Sequence, residues 1–147
     1  MGLFDKVLGK ESGAISLNKS EGFAAIAVAA IASDGTITSE EVDRTAIDLA
    51  TLKAFRRHRM RDLVDTLNKV AGLIKRRGAG PVLQAAKEAL SKEEMGGAFF
   101  VAADLMLADG VVEEQEKKFL EDLQNTLQMD HDTALKIVEV VVIKNKA

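Results

Sequence analysis

Two stretches of the chain, ASDGTITSEE at residues 32–41 and LADGVVEEQE at residues 107–116, carry the same set of chemically useful side chains. Asp34, Gly35, Ile37 and Glu41 in the first correspond to Asp109, Gly110, Val112 and Glu116 in the second, 75 residues further on. A carboxylate on a glycine turn, followed by another at the start of the next helix, offers hard oxygen donors that a chain reversal can aim at one point. Calcium and magnesium ions need that arrangement. Set against an EF-hand loop, Asp34 takes the fifth position, Gly35 the sharp turn, Ile37 the central hydrophobe and Glu41 the last, bidentate position. The first and third positions are Ala30 and Ala32 in one copy and Leu105 and Leu107 in the other, which rules out a complete EF-hand in either. One half-loop supplies too few oxygens for the roughly six to eight ligands of a hard cation, whereas two half-loops brought together supply four carboxylates. The expected metal ligands are therefore Asp34, Glu41, Asp109 and Glu116.

A local account competes with this one. Asp-Gly is a common turn, Thr38 and Glu41 have the spacing of a capping box, and acidic residues in a first turn suit the helix dipole. In the second copy Glu113 stands where the capping Thr stood, so capping is not expected to account for Glu116. On that ground the pattern favours metal binding.

The elements that must position these residues are helices. The run EGFAAIAVAAIAS from Ser20 is apolar almost all round, as in a helix enclosed by other helices. Gly35 should supply the left-handed stop after it, and Thr38 the N-cap of a helix running to about Thr51. Residues 53–77 read as one longer helix, with Phe55, Leu63, Leu67, Val70 and Ile74 on a buried stripe and the Gly78–Gly80 loop at its end. Pro81 suits the first turn of the next helix, Ser91 and Glu94 make a second capping box ahead of GGAFFVAADLMLA, and two further helices follow at about 113–127 and 130–144. Aligning residue 22 with residue 97 puts glycine on glycine and brings both acidic turns into register. The expected fold is all-α with seven to eight helices: an N-terminal arm over residues 1–19 and one domain over 20–147, in which two helix-turn-helix hairpins face each other about an approximate twofold axis.

The totals narrow the function classes. With 147 residues, 47% of them hydrophobic and 29% charged, the chain is long enough for one soluble domain with its own core. It has no cysteine, which removes disulfides, thiolate ligands and thiol redox chemistry and is consistent with a reducing compartment. A net charge of −3 argues against dominant nucleic-acid affinity. The start of the chain lacks the apolar core of a signal peptide, and the longest apolar run is about half the roughly 20 residues needed to cross a bilayer.

The two acidic stretches, each after an alanine-rich helix, together with the opening MGLFDKV, resemble the TerB family of tellurite-resistance and stress-response proteins. The resemblance covers residues 1 to about 130. It implies an all-α fold, a divalent-metal site (Ca2+, Mg2+ or Zn2+) lined by Asp34, Glu41, Asp109 and Glu116, and a non-enzymatic place in a cytoplasmic complex. That complex would include other Ter proteins and reach the inner face of the membrane through a TerC-type membrane partner. Gln115 stands opposite Glu40, so any fifth carboxylate comes from one side only.

Other features carry less. KAFRRHRMRD, with Lys53, Arg56, Arg57, Arg59 and Arg61, is expected to be a solvated helix face or the docking helix of a metal-free interaction module. RRGAGP lacks the Gly-Lys-Ser/Thr ending of a phosphate loop, and neither His58 nor His131 has a second histidine at ligand spacing. No nucleophile elbow, HExxH or paired Cys-His is present, so no catalytic residue is assigned. A metal-dependent small hydrolase using the same acidic cluster is the remaining enzymatic alternative.

Overall fold

The computed structural model describes residues 13–147. Its centre is α1 (Lys19–Ile31), opened by an Asn18–Glu21 capping box in which Asn18 Oδ1 accepts from the Glu21 N–H and Glu21 Oε1 accepts from the Asn18 N–H. Every residue from Gly22 to Ala30 is buried, as expected of an all-round apolar helix. Four helices enclose it: α2 (Ser39–Leu49), α3 (Met60–Arg77), α4 (Ala79–Ala89) and α5 (Lys92–Met106). Its alanines let those neighbours approach closely, and the larger side chains Phe23, Ile26 and Val28 fill the space that remains. The chain continues through α6 (Glu114–Thr126) to α7 (His131–Lys146), which packs chiefly on α5. All seven of these elements are α-helical, and the described residues contain no strand.

The expected caps form at Thr38 and Ser91, and Asp130 caps α7 by accepting the Thr133 N–H. Two expectations need correcting. Residues 53–77 are not one helix: Lys53–Phe55 form a single 3-10 turn, Arg59 is extended, and α3 begins only at Met60. Phe55 is the cause, because its ring is buried edge-on against Phe23, with centroids 5.5 Å apart, and this anchor holds the chain out of the helical path. The basic run is therefore an exposed turn rather than a helix face. The GAG segment is not a loop either, since Gly78 alone, at φ 87°, separates α3 from α4.

Residues 1–12 of the expected arm lie outside the described residues. Residues 13–18 lead into α1 without regular secondary structure, Ile15 and Leu17 pack against the core, and the Gly13 carbonyl accepts a hydrogen bond from Arg77 Nη2.

Candidate functional site

Each acidic corner is built in the same way. Gly35 and Gly110 have φ of 83° and 76°, the left-handed conformation that glycine adopts without strain. Asp34 Oδ1 accepts the Thr36 N–H at 2.9 Å, and Asp109 Oδ1 accepts the Val111 N–H at 3.0 Å, closing an Asx turn over each glycine. Glu41 Oε1 reaches back to the Thr38 N–H at 2.9 Å, and Glu116 Oε1 to the Glu113 N–H at 3.1 Å. This corrects the expectation that capping leaves Glu116 unexplained. The back-bond from the third helical residue needs only a backbone N–H at the N-cap, so it forms whether that residue is Thr or Glu.

One oxygen of each carboxylate is thus committed to the backbone. The second oxygen of each has no hydrogen-bond or ion-pair partner among the described residues. Glu41, Asp109 and Glu116 line one open cavity of about 470 Å3, between the end of α1, the start of α2, the end of α5 and the start of α6. Gln115 and Arg44 share it. Asp34 is exposed on its turn and does not line this cavity. The fold therefore brings three of the four expected ligands to a common space.

In donor chemistry the set suits a hard divalent cation: free carboxylate oxygens and one side-chain amide, with the Met106 thioether as the one soft group in the lining. In spacing it is not a preformed cage, because among the described residues no three Asp, Glu or His side chains stand close enough together to hold a metal ion. Arg44 also places a guanidinium where a bound cation would meet it.

A second polar cluster, which sequence reasoning missed, lies beside the first. Asp104, buried on α5, accepts hydrogen bonds from Lys144 Nζ at 3.0 and 3.2 Å and from Asn145 Nδ2 at 3.1 Å, both from the end of α7. Asp48 on α2 faces it, and all four residues line a cavity of about 210 Å3 that also touches Arg44. Burial, together with the hydrogen bond and negative charge of Asp104, pushes the Asp48 carboxyl up to about 7, while Lys144 and Arg44 pull the other way. Burial also raises Asp104, but the bonds from Lys144, Asp48 and Asn145 outweigh it and leave the group below the usual carboxylate range. Of the two carboxyls, Asp48 is therefore the one that takes up a proton first as pH falls. A lone Asp104 in an apolar helix was the one available signal, and its partners come from positions 56 residues before it and 40 after it.

Glu21 is the other carboxylate with little exposure. Burial would raise it, but Lys69 at 2.6 Å and the Asn18 N–H hold it below its ordinary value. Its role is structural, tying α3 to the start of α1.

Among the described residues, no helix is long and apolar enough to cross a membrane. No family model, curated protein or solved structure matches the chain.

Proposed function

We propose that this protein is a non-enzymatic, cation-responsive scaffold of TerB type, acting in a cytoplasmic complex for tellurite resistance or a wider chemical stress. The observation that carries the reading is the shared cavity: two remote copies of one acidic corner place Glu41, Asp109 and Glu116 around a single space, each with a free carboxylate oxygen. Three carboxylates facing one space repel one another, and a divalent cation relieves that repulsion while linking the first corner to the second. Glu41, Asp109 and Glu116 would hold the ion, with the Gln115 amide as a neutral donor, and Asp34 would join only if its turn moved inward. The linked corners would set the relative position of α2 and α6 and so shape the face offered to a TerC-type or other protein partner. With no family model or known structure matching, the TerB reading rests on the two motifs and the opening residues alone.

Calorimetric titration of Ca2+, Mg2+ and Zn2+ into chelator-treated protein tests the reading. One cation should bind with a stoichiometry of one, and both Glu41→Gln and Glu116→Gln should weaken it by about tenfold or more, since each removes one charged ligand. Equal heats from wild type and both variants would discard the site. A metal-free reading has its own support in the backbone bond made by each of the four carboxylates. It predicts that the same variants lose thermal stability without any change in cation response.

A further inference from the structure

The duplication is unequal at one glycine. Gly22 in α1 and its counterpart Gly97 in α5 occupy the same place in the two copies, but their surroundings differ. A Cβ on Gly22 would lie 3.2 Å from Leu90 Cδ2 and 3.3 Å from Ala89 Cβ, so this glycine is covered by the end of α4. A Cβ on Gly97 would meet nothing closer than Leu52 Cδ2 at 3.6 Å and Phe23 Cε1 at 3.9 Å, and one on Gly96 would meet nothing within 4 Å. The residue that the 75-residue shift pairs with Leu90 is Ile15, and Ile15 lies elsewhere, beside Val70 and Leu73. Gly97 is left at the wall of an open groove of about 550 Å3 with Phe23, Leu52 and Ala54. Glycine inside a helix is unfavourable relative to alanine, and packing does not require it at Gly96 or Gly97. What the glycines preserve is the room in the groove, which is apolar where Leu90 fills the equivalent place.

Lys53 and Ala54 line one end of this groove, and the exposed turn carrying Arg56, Arg57 and Arg59 follows directly in the chain, with Arg61 in the first turn of α3. Two contacts fix that turn beside the groove: the His58 ring stacks edge-on against Phe55 at 5.1 Å, and His58 Nε2 lies 3.3 Å from Ser20 Oγ at the start of α1. Among the described residues, none of the four arginines forms an ion pair, in a protein whose net charge is −3. The guanidinium fork matches carboxylates in pairs. The other charges at the rim are Lys19, paired with Glu94 at 2.6 Å, and Glu93.

We infer that the groove over Gly97 and the arginine turn together form a docking surface for an acidic peptide segment of a protein partner, with a leucine-like side chain seated on Gly97 and carboxylates on the arginines. Charge complementarity selects the acidic flank, and the Leu90–Gly22 contact in the other copy shows what size of side chain the groove takes. A single-stranded nucleic acid fits less well, since the one ring on the exposed turn, His58, is already packed edge-on against Phe55. An anionic bilayer would need the arginines but not the groove. The surface is independent of the acidic cavity and does not depend on the cation reading.

Fluorescence anisotropy with a labelled decapeptide of Asp and Glu around a central Leu-Leu tests this, against the same peptide with Ser-Ser, a single-stranded RNA and phosphatidylserine vesicles. The leucine peptide should bind saturably with chelator present. The triple variant Arg56→Gln, Arg57→Gln, Arg59→Gln should weaken it by about tenfold or more, and so should Gly97→Leu, which fills the groove. The arginines are exposed and a Cβ fits at Gly97, so both variants should keep the wild-type melting curve, and Gly97→Ala serves as the milder variant if Gly97→Leu does not. Equal binding of the serine peptide, indifference to substitution at Gly97, or arginine-dependent binding of RNA or vesicles in place of the peptide would overturn the inference.

Discussion

The two acidic corners have the same local hydrogen bonds but different foundations. Gly35 sits against the last two turns of α3, where a Cβ would come 2.5 Å from the Ala71 carbonyl oxygen and 2.7 Å from the Lys75 nitrogen. Gly110 sits against the end of α7, where the nearest atom would be the Asn145 carbonyl oxygen at 2.9 Å. α3 is a core helix, with five buried side chains and packing against α1, α2 and α4; α7 buries only Ala134 and Val141 and leans mainly on α5. The first corner is therefore held by apolar packing, and the second by a peripheral helix whose end is fastened through Asp104, Lys144 and Asn145. The two acidic corners thus rest on supports of different depth, one on a core helix and one on a peripheral helix.

The sharpest way to break this contrast is to put alanine at both glycines. Gly35→Ala adds positive-φ strain to a clash with the backbone of a helix that cannot retreat, and should cost about 3 kcal/mol or more in urea denaturation. Gly110→Ala carries the same strain against a helix end that can shift, and should cost about 1–2 kcal/mol. Equal losses would remove the distinction between the corners. Next in size is Lys144→Met, which leaves the buried Asp104 carboxylate short of its charged partner. Hydrogen exchange should then speed up in α7 and at the 109–116 corner, while α1–α3 stay protected. Uniform acceleration would mean that α7 is not a separable element.

The pH response sharpens the same comparison. The Asp48 pKa is raised on folding from an ordinary carboxylate value to about 7, so its proton favours the folded state most at low pH, and that contribution is lost as pH rises through about 7. Asp104 is lowered and contributes in the opposite sense, losing its share only at acid pH. Thermal midpoints should thus fall as pH rises from about 5 to about 7 in the wild type and level off above that, but not in Asp48→Asn, where the amide makes the proton permanent. A parallel fall in both proteins would place the titrating group elsewhere. The smallest expected effect lies at the caps. Thr38→Ala should cost about 1 kcal/mol because Thr38 Oγ1 accepts the Glu41 N–H at 3.1 Å, whereas Glu113→Ala should cost less than that, with Glu116 still bonded to the residue-113 N–H.

Much of the architecture was legible because it rests on local rules. The period of apolar residues in α1, the capping boxes at Thr38 and Ser91, Asp130 at the start of α7, and glycine at each acidic turn depend on neighbours within about four residues, and the chain states those neighbours directly. The break before Met60 was not legible. Lys53 to Arg77 contains no glycine or proline ahead of the break, and the cause is Phe55 docking on Phe23, a contact across 32 residues of sequence. The likeness of the two acidic corners was visible as spelling, but the difference in what supports them was not.

By itself the sequence determined that the chain forms helices, where most of them begin and end, and that two acidic glycine turns recur with one carboxylate pair each. Only the tertiary structure decided that Glu41, Asp109 and Glu116 line one cavity while Asp34 stays outside it, that Asp48 faces Asp104, and that Gly97 is open where Gly22 is covered. The reason is physical. Caps and turns are satisfied within a few residues of backbone, whereas the charge state of a carboxylate and the vacancy over a glycine depend on which distant helix packs there.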